Sequence, residues 1–114
     1  MIHTMKLNPK PFSLIESGKK TIELRLFDEK RKAIAVGDTL LFTNTKDKTK
    51  QITCTVKKLH IFKSFEELYQ TLPLDKCGYS KNELDTASAT DMEEYYSIEQ
   101  QRCYAVVGIE IEFA

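Results

Sequence analysis

Residues Thr21 to Phe27 alternate without a break, with Ile22, Leu24 and Leu26 on one side and Thr21, Glu23 and Arg25 on the other. A period of two belongs to a β-strand, whose successive side chains point to opposite faces of a sheet. The apolar face has to pack on a core. The other face carries a carboxylate and a guanidinium two residues apart, close enough to lie side by side. Lys20 comes just before the strand, at a turn behind Gly18, where strict alternation does not bind it.

The rest of the chain is organised around similar strands. Ile2 to Leu7 reads as a short first strand, ended by Asn8-Pro9-Lys10-Pro11. Asn8 can cap a helix over residues 9–17 whose first position is Pro9, with Phe12, Leu14 and Ile15 as its apolar face and Gly18 as a left-handed stop. A charged turn at 28–32 and a Gly37-Asp38 turn flank Ala33 to Val36, which returns to the core. Strands follow at 39–43 and 51–61, joined by a polar hairpin loop, residues 44–50. Ser64, with Glu67 three positions on, predicts a capped helix over 64–72. Pro73 to Tyr79 reads as a loop, and 80–86 as a short helix. Residues 91–100 read as a further helix, and 103–113 as a long final strand.

Strands with short hairpin-like connections and single inserted helices do not make a βαβ series. They predict a mixed α/β domain of the α+β kind: a small, mostly antiparallel β-barrel that uses both terminal strands to remove its edges. The 114 residues are one domain's worth. With 41% hydrophobic and 30% charged residues, the composition is that of a globular protein. No apolar run approaches a membrane span, and the N-terminus has no signal-peptide pattern. Cys54, Cys77 and Cys103 are odd in number and lack metal-ligand spacing, so reduced thiols in a cytoplasmic protein are expected, with no metal and no cofactor. His3 and His60 have no partners at ligand spacing.

Net charge is zero but unevenly placed. Residues 1–63 hold 14 Lys/Arg against 6 Asp/Glu, and residues 64–114 hold 3 against 11. Either two solvated faces differ, or one surface attracts phosphates while another repels them.

The segment Gly18-Lys19-Lys20-Thr21-Ile22-Glu23-Leu24-Arg25 fits G-x-K-x-x-E-x-R. It follows a short helix carrying Pro11 and Phe12. Val36-Gly37-Asp38, Phe42-Thr43-Asn44, Tyr95-Tyr96-Ser97 and Tyr104-Ala105-Val106-Val107-Gly108-Ile109 come after it. Together these residues resemble the ASCH domain family of the PUA-like superfamily, over nearly the whole chain. The resemblance implies a β-barrel with short helices flanking a cleft, and a role with RNA or a nucleotide. One branch of that family hydrolyses N4-acetylcytidine with a Lys, a Thr and a Glu. Lys20 stands at the position of its Lys, and Glu23 stands where it has its Thr nucleophile.

One structural and two functional readings of Lys20, Glu23 and Arg25 follow. As a surface lattice of ion pairs they do nothing specific. In a cleft they can bind RNA or a modified nucleotide, with Lys20 and Arg25 on a phosphate and Asn44, Tyr96 and Tyr104 as further ligand-binding residues. In a catalytic version, a small hydrolase of the amidohydrolase or ribonuclease kind, Glu23 is the general base and Lys20 or Arg25 holds an oxyanion. Asn44 can instead cap its hairpin, and the tyrosines can be core-edge residues. Lys46, Lys48 and Lys50 can add phosphate contacts. A protein-interaction domain using the acidic second half is the third option. Oligomeric state is open.

Overall fold

The computed structural model describes all residues, Met1–Ala114. The chain runs β1 (Ile2–Leu7), α1 (Pro9–Glu16), β2 (Ile22–Leu26), α2 (Glu29–Lys32), β3 (Thr39–Asn44), β4 (Gln51–Phe62) and α3 (Phe65–Thr71). Two 3-10 turns follow (Leu84–Thr86 and Ala89–Glu94), then α4 (Ile98–Tyr104) and β5 (Val106–Phe113). The strands form one sheet in the order β1-β3-β4-β5-β2, with only the β1–β3 pair parallel. The sheet curls into a half-barrel, so the expected small barrel is present in its open form. The last strand does not close it. β5 lies inside the sheet between β4 and β2, and the two free edges are β1 and β2. A register shift in β4 between Val56 and Lys58 helps the curl, because an unpaired residue bends its strand.

Two apolar clusters lie on the two faces. The inner one gathers Met5, Leu7, Phe12, Ile15, Leu40, Phe42, Ile52, Val56, Val107 and Ile109. The outer one packs Ile22, Leu24 and Leu26 of β2 against Phe65, Leu68 and Leu72. Phe65 and Leu68 are fully buried, each stabilising the fold by roughly 1.5–3 kcal/mol. Gly108 makes this approach possible: a Cβ there would lie 2.7 Å from Leu72 Cδ1 and 3.2 Å from Ile22 Cγ2.

Most local signals act as read. Pro9 opens α1, Gly18 follows it at φ +80°, and the Ser64 hydroxyl accepts from Glu67 N–H at 3.2 Å. Asn8 differs: its side chain does not cap α1 but accepts from the Thr45 hydroxyl at 3.0 Å. The charged segment 28–32 is a helical turn, capped by Asp28, whose carboxylate accepts from Arg31 N–H. The expected 80–86 helix is a 3-10 turn over its last three residues.

The region before β5 needs the largest correction. The helix expected at 91–100 is a 3-10 turn ending at Glu94, and residues 103–105 are not strand. Ser97 and Gln100 form a reciprocal capping box that starts α4 at Ile98 and carries it to Tyr104. The chain then enters β5 through Ala105, held at φ 63° and ψ −173°.

Candidate functional site

In the antiparallel pairing of β2 with β5, Glu23 lies opposite Ile109 and Arg25 opposite Val107. Directly opposed residues share a face, so Glu23 and Arg25 project on the inner side, with the half-barrel core. β2 is an edge strand, and its inner side opens at the seam facing β1. Lys20 reaches the same point from the turn behind Gly18, its N–H donating to Leu14 O at 2.9 Å.

The three charged ends converge. Lys20 Nζ lies 2.7 Å from Glu23 Oε1, and Arg25 Nη2 and Nε lie 2.7 and 2.8 Å from Glu23 Oε2. Glu23 is buried, and Lys20 and Arg25 are nearly so. Burial pushes the Glu23 carboxyl up, but Lys20 and Arg25 outweigh it and hold it below the usual carboxylate range. Burial likewise works against the Arg25 charge, and Glu23 reverses that effect and raises its pKa. Glu23 is therefore a committed anion, with both oxygens paired and little affinity for a proton. That is the chemistry of an anchor, and it serves poorly for a general base. Arg25 also spans the seam: Nη2 donates to Lys6 O on β1 at 2.8 Å.

Above this cluster lies a cleft of about 380 Å³. Lys6, Asn8, Lys10 and Leu14 form one wall, and Tyr79, Glu83, Asp91, Glu94, Tyr95 and Tyr96 the other. The second wall is held by a chain of hydroxyls. Tyr69 OH meets Tyr79 OH at 2.6 Å, and Tyr79 OH donates to Asp91 Oδ2 at 2.7 Å. Burial raises the Tyr69 phenol to about 12, and burial with the two hydrogen bonds raises Tyr79 further, so both stay protonated. Tyr96 stacks on Phe65, ring centroids 6.0 Å apart, while Tyr95 is mostly exposed. Cys77 is buried in the lining, and burial pushes its thiol up to about 12, so it is no nucleophile at neutral pH.

Of the residues read as site candidates, Lys20, Glu23, Arg25 and Tyr96 meet in this cleft. Asn44 and Tyr104 do not line it. Asn44 is buried at the base of the hairpin, where Oδ1 accepts from Lys46 and Asp47 N–H at 2.9 and 3.3 Å. Tyr104 is the last residue of α4 and is exposed. His3 pairs with Asp38 at 2.8 Å and His60 with Glu110 at 3.1 Å, away from the cleft. Tyr69, Tyr79 and Asp91 are the functional candidates that the sequence did not single out. They are spread over 22 positions of mostly irregular chain, and only the Ser88–Asp91 spacing carried a signal, as a capping box.

The ASCH domain profile matches residues 5–114. The chain belongs to the ASCH domain family. ASCH domains are RNA-binding-like in general. The half-barrel is similar to that of the hypothetical protein PH0355, with 32% sequence identity, a TM-score of 0.82 and full coverage of both chains. It is also similar to protein PF0455 from Pyrococcus furiosus, with 31% identity, a TM-score of 0.69, and coverage of 99% of this chain and 97% of that one. ASCH from Zymomonas mobilis shares the fold at 15% identity and a TM-score of 0.67, with 97% of this chain matched to 66% of that chain. None of the curated proteins compared matches the chain. No helix of this ASCH domain is long and apolar enough to cross a membrane.

Proposed function

We propose that the cleft binds RNA through a single unstacked nucleobase, or binds a modified nucleoside by itself. The supporting observation is the Lys20–Glu23–Arg25 cluster at the floor of an open, tyrosine-lined cleft. The two cations are already neutralised in part by Glu23, so the floor suits polar base edges better than a phosphate dianion. Lys20 keeps N–H groups beyond the one spent on Glu23, and these can donate to a carbonyl or ring nitrogen. Tyr95 and Tyr96 offer ring faces on the wall, and stacking on an aromatic side chain is worth about 1–3 kcal/mol per base. The general RNA-binding character of ASCH domains supports the same reading.

The test is a titration of nucleosides, plain and base-modified, and of short single-stranded RNA, followed by NMR shifts. Cross-peaks of residues 20–25 and 77–79 are expected to move. Tyr95→Ala is expected to weaken binding about tenfold with the melting temperature unchanged, since that ring is exposed. Shifts confined to other surfaces, or a Tyr95→Ala and Tyr96→Leu pair that binds as well as the parent, would remove the cleft as the site.

A further inference from the structure

Part of the uneven charge of the sequence is expressed at the cleft, whose two sides meet in the Lys10–Glu83 pair at 3.6 Å. Lys6 and Lys10 line the β1–α1 wall, and Glu83, Asp91 and Glu94 line the opposite one. Resting on the base-binding reading above, we infer that single-stranded RNA enters with its backbone on the lysine side, along a track from Lys10 and Lys6 onto Lys46, Lys48 and Lys50 of the β3–β4 hairpin.

The hairpin is tied to the cleft mouth. β1 and β3 run parallel with Lys6 beside Thr43 and Leu7 beside Asn44. Thr45 N–H donates to Leu7 O at 2.9 Å, and the Thr45 hydroxyl donates to Asn8 Oδ1 at 3.0 Å. The loop carrying the three lysines is thus fastened to residues that themselves border the cleft. All five lysines are exposed. Lys6, Lys46, Lys48 and Lys50 take part in no ion pair, and Lys10 has a loose one, 3.6 Å from Glu83. Asp47, the one acid within the loop, accepts from the N–H and hydroxyl of Thr49. Those two bonds hold its carboxyl below the usual range, and its charge faces its own turn. Lys6 and the three hairpin lysines are left free to meet an outside anion, and Lys10 joins them by releasing Glu83.

The floor cannot take over this task, since Lys20 and Arg25 are turned onto Glu23. The acidic wall repels a phosphate chain. The lysine side, where the hairpin is attached beside Leu7 and Asn8, is the route left to it, and a backbone laid there presents its base towards the tyrosines and carboxylates. The track therefore fixes which way round the nucleotide sits.

The experiment measures affinity of the folded protein for a mononucleoside and for a short single-stranded oligoribonucleotide over a range of salt. A Lys46→Gln/Lys48→Gln/Lys50→Gln protein is compared with a Lys57→Gln/Lys58→Gln/Lys63→Gln protein, which loses the same charge from β4 and its C-terminal end. For single strands each neutralised phosphate contributes about 0.7 to the slope of log K against log salt. The hairpin triple is expected to bind the oligonucleotide more weakly, with the slope reduced by about 2, and to bind the mononucleoside unchanged. An unchanged slope in the hairpin triple, an equal loss in the β4 triple, or an oligonucleotide that binds no tighter than the mononucleoside would overturn the track. Loss of mononucleoside binding in the parent, with the slope change intact, would count against the base cleft and leave the track standing.

Discussion

Glu23 holds two cations in place, and its removal would leave both nearly buried without their shared carboxylate. Breaking a buried pair from one side costs about 3 kcal/mol or more, because the remaining charge keeps its desolvation penalty. Glu23→Gln is therefore expected to lower stability by about 3 kcal/mol at neutral pH, measured by urea unfolding. The same residue gives a pH dependence of known sign. Its folded pKa lies below the ordinary 4.5, so its stabilising effect is complete above about that pH and is lost as the pH falls through the folded value. The parent should lose more stability than Glu23→Gln across that acid range, and parallel acid limbs would show that Glu23 is not ionised as described. Ala105 is the opposite case, a residue that fits badly. At φ 63° and ψ −173° it occupies a region that only glycine enters freely. Ala105→Gly is expected to gain about 1 kcal/mol in the same assay, after the extra entropy of the unfolded glycine is allowed for.

At the level of elements, the contact of α3 with β2 and β5 depends on a missing side chain. With Leu72 in its present place, Gly108→Ala forces a methyl group into it and should cost about 1–3 kcal/mol, as overpacking does. In a Leu72→Ala background the same change should cost much less, and a double-mutant cycle in which the two effects simply add would disprove the clash. The elements also explain what could be read from the sequence. β2 was legible because its alternation is uninterrupted, and the Lys20–Glu23–Arg25 convergence follows from that alternation plus one turn. The α4–β5 junction is hidden in the sequence because Tyr104 and Val106 extend the alternation of the strand backwards, while the start signal of the helix, Ser97 with Gln100, lies seven residues before Tyr104. Tyr69, Tyr79 and Asp91 meet through tertiary packing across a segment with no period, and no local pattern records such a meeting. Asn44 suits a cap or a ligand contact by residue type, and its two bonds to the hairpin backbone use it as the cap.

For the molecule as a whole, a few residues of the basic and of the acidic part of the chain meet at the cleft, and burial divides the thiols. Cys54 and Cys77 are buried, with thiols raised to about 11 and 12, while Cys103 is exposed. One thiol should react promptly with Ellman's reagent in the native protein and all three in denaturant. Prompt reaction of a second would mean that one of the two apolar clusters opens readily. The curled sheet itself stops short of closure, and between β1 and β2 it is the Arg25 side chain that crosses. A backbone ladder fixes its strands about 4.8 Å apart. Here the crossing is one exposed hydrogen bond worth about 1 kcal/mol, from a guanidinium whose other contacts hold it on Glu23. On the proposed reading, a base enlarged by a chemical group would be accommodated at this seam by lengthening that one contact, with the Glu23 pairs left in place.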